Sequence, residues 1–376
     1  MNSRERVALA LAHRQPDRVP LSLGGTAHKL SDSRYQLLKE HFGIDGDSPQ
    51  RLTGAYLSYA DNRVLDALGT DIRHVHLRPP RDFMSVQYPD ETWRNEWGFH
   101  YRVLPSGFYE LGGTPLGDAT SADLARYPWP DPHDPARVAG LAEEVKDLYE
   151  NTPYAIAAYR PTISGIFELS VQLRGMERLL TDLLLEREFV DTLFWKLAEV
   201  LGEFYKIYLE VAGPYVQIVE LADDLGSQAG PLIAPRLYRE LLRDKHAYLI
   251  RTIKERAPNA KVMLHSCGAI KPFISDFIAA GVDILNPVQP LAKNMDPVKL
   301  KAEFGKEIVF LGGVDVQQTM RGPVEGVRDE VRRRIEELGK DGGFILAPSH
   351  NFGDDVPLEN ILAFIETAHQ YGICAG

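Results

Sequence analysis

Two cysteines in 376 residues, Cys267 and Cys374, leave no room for a disulfide framework, and such a chain is expected in a reducing cytoplasm. Basic residues are also short: 42 Lys and Arg stand against 53 Asp and Glu, a net charge of −11. That balance argues against a nucleic-acid or anionic-membrane binder, since both reward a basic surface. No run approaches eighteen uninterrupted apolar residues, so no transmembrane helix is expected. The opening "MNSRERVALALAHRQPDRVP" is too short in its apolar stretch, and too broken by charge, to read as a signal peptide. The first apolar run ends in "LGGTAH", which lacks the G-x-G-x-x-G spacing of a dinucleotide-binding turn. There are no internal repeats and no low-complexity tracts.

What the chain does have is alternation. Short apolar, β-branched runs occur at 19–25, 71–77, 154–159, 216–221, 261–266, 282–287, 307–313 and 343–348, each bounded by Gly, Pro or Asn. Buried parallel strands have this form. Between them, 237–256, 270–281, 324–340 and 359–372 place apolar residues three and four apart, the spacing of an amphipathic helix. From residue 214 onward strand and helix alternate without a break. Eight such strands predict an α/β fold, a (β/α)₈ TIM barrel, as a single domain over 1–376. Residues 84–135 break the rhythm with aromatic-rich turns. They are expected to form an inserted, strand-rich antiparallel excursion near the barrel mouth.

In such a barrel function sits at the C-terminal ends of the strands. Those positions carry His28, Asp71, Arg160, Glu220, Asp223, Asp224, His265, Cys267, Gln289, Asp315, Gln317, His350 and Asn351. In "LHSCGAI", residues two apart on an extended segment face the same side, so His265 and Cys267 can reach one ion together. Zinc takes imidazole and thiolate, and a catalytic zinc has three protein ligands and one open position. His350 in "APSHNFGDD" is the first candidate for the third ligand and Glu220 the next. The plain alternative is a buried cysteine acting as a small hydrophobe. Cys374, near the end of the chain, reads as a bystander.

The acidic trio in "VELADDLGSQAG" also has two readings. Its members are solvated or helix-capping carboxylates, or else Glu220 is a further metal contact and Asp223 and Asp224 orient substrate or move protons. Asp71 lines the mouth or caps a strand end, and Arg160 anchors an anionic group or makes a surface ion pair. His74 and His76, alternating with apolar residues, read as structural or as facing the excursion.

The segments "LHSCGAIKPFISDFIAAGVDILNPVQPLAKNMDP", "FLGGVDVQQTM" and "GGFILAPSHNFGDDVPLENILAF" resemble the uroporphyrinogen decarboxylase superfamily. They are most similar to its branch of zinc-dependent, corrinoid-linked methyltransferases, and the resemblance runs from "RERVALALAHRQPDRVP" to "AHQYG". It implies a single (β/α)₈ barrel. In the branch that uses methylcobalamin, an H-x-C pair and a downstream cysteine hold zinc. The pair falls on His265 and Cys267, and the third position falls on His350, imidazole in place of thiolate, which makes a bound metal more electrophilic. The resemblance also implies substrate contacts at Gln289, Asp315 and Gln317, with His28, Asp71, Arg160 and Asn351 as further candidates from the strand ends.

The decarboxylases carry an R-Q-A-G-R motif after the first strand, where this chain has "SLGGTAHKLSDSRYQ", and they lack "HSCG". Uroporphyrinogen decarboxylation is therefore the less favoured activity, and a non-catalytic ligand-binding barrel is a third. The absence of a D-x-H-x-x-G cobalamin motif implies that a corrinoid comes on a separate partner protein. The small methyl donor or acceptor, a thiol, ether or amine, is not fixed by the sequence. Neither is the direction of transfer, and a homodimer is left open.

Overall fold

The computed structural model describes residues 1–46, 50–53, 56–59, 61–81, 93–103, 109–162 and 164–372. Cys374 and part of the 84–135 excursion lie outside them. Seven parallel strands run in sequence order: β1 (Ile72–Val75), β2 (Ala155–Ala158), β3 (Ile218–Ala222), β4 (Lys261–His265), β5 (Ile284–Val288), β6 (Val309–Val314) and β7 (Phe344–Pro348). Six of the eight apolar runs fall on these strands within a residue or two. In the run at 71–77 the strand occupies only the middle.

The remaining run, 19–25, closes the ring without becoming a full strand. Ser22 N–H bonds the Leu346 carbonyl (3.0 Å), Leu346 N–H bonds that of Pro20 (2.8 Å), and Asp71 N–H bonds that of Leu21 (2.8 Å). This segment therefore bridges β7 to β1 and completes a TIM-barrel-like ring. It stops short because Pro20 has no N–H to give and Gly24, at φ +99°, turns the chain away.

The barrel interior is apolar at its lower end. Ile72, Ala155, Ile218, Met263, Ile284, Val309 and Ile345 pack there against Val7, Ala10 and Leu11. The last three lie on the helix Ser3–Leu11, which starts with a reciprocal Asn2–Glu5 capping box. Its Arg4 N–H bonds the Pro153 carbonyl (2.8 Å) and its Ala10 carbonyl accepts from Gly343 (3.1 Å), both on the N-terminal side of barrel strands. The helix plugs that end, which leaves the other end for function.

Asp71 corrects one sequence expectation. It precedes β1, so it lies at the plugged end and does not line the mouth. Its carboxylate, 0% exposed, accepts from Arg6 Nη1 (2.7 Å), Arg18 Nη1 (2.7 Å) and Nη2 (3.0 Å), and Leu21 N–H (2.8 Å). It ties the plug, the closing segment and β1 into one knot.

Outside the ring, the 26-residue helix Arg187–Ala212 buries Phe189, Val190, Leu193, Phe194, Leu197, Leu201, Phe204 and Tyr208, spaced three and four apart. Its tyrosines find partners on the strands: Tyr205 Oη donates to the Glu220 carbonyl (2.7 Å) and Tyr208 Oη to that of Val75 (2.6 Å). Within the expected excursion, Trp93–Arg94, His100–Val103 and Tyr109–Gly112 form a three-stranded antiparallel sheet. The turn between its first two strands meets the outer layer: Trp97 lies 6.5 Å from the Phe204 ring, and Tyr127 Oη donates to the Trp97 carbonyl (2.6 Å). Among the described residues no helix is long and apolar enough to cross a membrane.

The Asp71 knot generates a stability prediction. Asp71→Ala leaves Arg18 without its anion and Arg6 with Asp17 alone, and should lower the unfolding free energy by about 3 kcal/mol. Urea denaturation followed by circular dichroism measures it, and an unchanged midpoint would mean the ring closes without that carboxylate.

Candidate metal centre at the barrel mouth

His265 ends β4, with Ala222 of β3 and Asn286 of β5 as its register partners. Register neighbours in parallel strands point the same way, so Asn286 stands beside the imidazole. His265 Nδ1–H donates to Asn286 Oδ1 (2.6 Å), while Asn286 Nδ2 donates to the Leu311 carbonyl (3.3 Å), which fixes the amide's orientation. The tautomer follows: Nε2 carries the lone pair, and it faces Cys267 Sγ at 3.4 Å and Asp224 Oδ1 at 3.5 Å. An imidazole whose far N–H is held by a protein oxygen is the usual form of a metal-ligating histidine.

Asp224 arrives from the turn after β3. Its Oδ1 accepts the Cys267 N–H (2.8 Å), and Leu225 N–H bonds Ser266 Oγ (3.1 Å), so the two turns are stitched together. Gly226 and Gly268 allow the approach. Gly268 has φ +83°, and a Cβ there would lie 2.6 Å from the Gly226 carbonyl carbon. Ligand atoms of Asp224, His265 and Cys267 all fall within 4.8 Å of one another. His350 is not in this group. Its side chain reaches the surface of the mouth, yet the protein packed around the ring desolvates it, and that burial, with His265 near, lowers its imidazole to about 4.

The electrostatics suit a cation. Burial keeps His265 below its ordinary value, hence neutral and ready to ligate. Burial, then Asp224 and Glu168, push the Cys267 thiol well up, so without a positive partner it stays protonated, whereas a bound metal would ionise it. Glu168, which sequence reasoning missed, is raised to about 8 by burial and by Asp224. An acidic group, a thiol and a neutral imidazole converging at one point form a donor set that a divalent cation fits.

Other expected residues fall elsewhere. Asp223 is wholly buried and accepts from Phe167 N–H (2.9 Å), Glu168 N–H (2.9 Å) and His246 Nε2 (2.9 Å). It caps the helix Ile166–Arg174 and so brings Glu168 to the site. Asp315 accepts from the backbone N–H groups of Gln317, Gln318 and Thr319 (2.8–2.9 Å), capping its own turn rather than facing substrate, and Gln317 is exposed. Asn351 Oδ1 accepts Lys29 N–H (2.9 Å). Gln289 stays with the centre: its Nε2 lies 3.4 Å from Cys267 Sγ and its Oε1 accepts Gly268 N–H (3.0 Å). Arg160 Nε is buried with no hydrogen-bond partner among the described residues.

Glu220 does not reach His265. It sits one pleat lower on β3, 1% exposed, with Thr26 N–H (3.0 Å) and Thr26 Oγ1 (2.6 Å) on Oε2 and His74 Nε2 (3.1 Å) on Oε1. Burial disfavours its charge, but His74, His28 and the Thr26 bond outweigh that and hold it at about 2. His28, which burial lowers to about 4, completes this second cluster.

A barrel whose convergent donors stand on the C-terminal strand ends is of the kind that carries chemistry there. The chain belongs to the uroporphyrinogen decarboxylase (URO-D) family, whose pattern matches residues 114–371. It is 24% identical over 245 residues to the methylcobamide:CoM methyltransferase MtaA of Methanosarcina barkeri, covering 62% of this chain and 64% of that protein. It is 22% identical over 186 residues to the uroporphyrinogen decarboxylase of Crocosphaera subtropica, covering 49% and 48%. The chain thus spans about half to two thirds of the length of these relatives. A methyltransferase from Methanosarcina mazei shares the fold across 99% of both chains, with TM-score 0.65 and 16% identity.

The packing of the lower cluster is testable. A Cβ on Gly25 would lie 2.4 Å from His28 Cε1 and 2.5 Å from Glu220 Oε1. Gly25→Ala should therefore destabilise the fold by about 1–3 kcal/mol, the range for overpacking. Thermal melting checks it; a melt like that of the wild type would mean the loop moves aside freely.

Proposed function

We propose that this chain is a zinc-dependent methyltransferase, cytoplasmic, that moves a methyl group between a corrinoid on a partner protein and a small thiol, ether or amine. The observation that carries the reading is the meeting of Asp224, His265 and Cys267 at the mouth. Zinc held there would ionise a coordinated thiol or polarise a methylated oxygen or nitrogen. The rest is the work of this chain's own groups. Asn286 holds His265 in the ligating tautomer. Gln289 lies against the Cys267 sulfur and steadies the turn that carries it. Arg160, with its unpartnered Nε, is placed to meet a polar or anionic part of the substrate. The methylcobamide substrate in the name of the M. barkeri relative supports the corrinoid part of the reading.

Asp224 takes the third ligand position in this proposal, and His350 faces the substrate side. Metal analysis separates the alternatives. The wild type should hold zinc in the Cys267-dependent site. Cys267→Ala should lose that metal with the fold intact. Asp224→Asn should weaken binding about tenfold or more, and His350→Ala should keep the metal while slowing transfer to a corrinoid protein. The opposite pattern, zinc lost with His350→Ala and kept with Asp224→Asn, would return His350 to the ligand set.

A second assay separates the activities. Uroporphyrinogen should not be turned over; metal-independent formation of coproporphyrinogen would sink the methyltransferase reading.

A further inference from the structure

We propose that His28, His74 and Glu220 form a second metal site, beneath the mouth and independent of Cys267. Their ligand atoms lie within 4.8 Å of one another, all three residues are buried, and none belongs to the Asp224–His265–Cys267 group. The inference does not rest on the methyltransferase reading, since this site has no sulfur and no residue in common with the mouth.

His28 and Glu220 are held in forms that can ligate, and His74 becomes one by giving up the proton on its Nε2. His28 Nδ1–H donates to the Thr26 carbonyl (2.8 Å), so its Nε2 carries a lone pair, now met by Ser22 Oγ at 3.0 Å. A backbone carbonyl on the far nitrogen orients many metal-bound histidines. Glu220 is anchored through Oε2 by both donors of Thr26, which leaves Oε1 directed at His74. The 3.1 Å between Glu220 Oε1 and His74 Nε2 is a spacing that two ligands of one small cation adopt. For the cation to bind, the proton now shared between them must leave Nε2 as the metal takes its lone pair.

Only a glycine fits against the cluster. Gly25 lies against the cluster, and any side chain there would fall 2.5 Å from His28 Nε2 and Glu220 Oε1. Below the cluster the barrel is lined by aliphatic side chains, so a charge at this level is met by these groups and not by water. Two imidazoles and one carboxylate suit a first-row divalent cation, zinc or ferrous iron, and not magnesium or calcium, which take oxygen ligands.

The test uses the full chain. The metal-free protein is titrated with Co²⁺ and its absorbance followed. The thiolate-to-cobalt band, which needs Cys267, should saturate at the first equivalent assigned to the mouth. The ligand-field bands should require a second. In parallel, protein grown with ample zinc and iron is analysed for both metals: Cys267→Ala should retain one equivalent, and Cys267→Ala combined with Glu220→Gln should retain none. The identity of the retained metal distinguishes zinc from iron.

If the wild type takes up only the thiolate-bound equivalent, and Cys267→Ala is metal-free, the lower cluster is a hydrogen-bonded triad alone and the inference is overturned. Failure of the mouth site looks different: Cys267→Ala would then leave the metal content unchanged. Because the cobalt titration uses the wild type, a variant that does not fold leaves the test intact.

Discussion

A single carboxylate shuts the barrel. Asp71 accepts hydrogen bonds from the helix that plugs the lower end, from Arg18, and from the backbone of the segment that stands in for an eighth strand. Removing a charge from water costs several kcal/mol unless it is well paired, and here two guanidinium groups and an N–H meet it. The geometry above depends on this closure. The chain that leaves the knot at Leu21 crosses the barrel wall and turns at Gly24. It then presents Thr26 to Glu220 and His28 to Ser22. One stretch of about ten residues is thus fastened at the bottom by Asp71 and at the top by Glu220.

Between those fastenings the interior changes character by level. Aliphatic side chains fill the lower layer, a His–Glu cluster occupies the middle, and the Asp224–His265–Cys267 group stands at the rim. The gradient follows from the pleat. On β3, Ile218 and Glu220 point the same way at successive levels, and on β4 so do Met263 and His265. A polar side chain two residues later on a strand is one layer nearer the open end. Tyr205 fixes β3 and Tyr208 fixes β1 from outside, by hydrogen bonds to the carbonyls of Glu220 and Val75.

The sequence carried the strand ends well, because apolar runs with Gly, Pro or Asn at their limits mark where parallel strands stop. His265, Cys267 and Gln289 were legible for that reason. Asp71 was misread because in a parallel barrel a residue before a strand and one after it lie at opposite ends, and Asp71 opens its apolar run rather than closing it. Asp315 looked like a substrate contact, but three backbone N–H groups claim it. Asn286 and Glu168 act through relations that periodicity does not contain. One depends on the register between two strands, the other on a helix cap supplied by Asp223 from a different part of the chain.

The contact between Gly226 and Gly268 has a mechanical meaning. Two turns whose backbones touch, and which are also joined by the Asp224–Cys267 and Leu225–Ser266 bonds, share their displacements. Any displacement of one turn therefore carries the other, and the carboxylate and the thiol move as a pair. Strain on one turn is shared by both, and the two donors keep their separation.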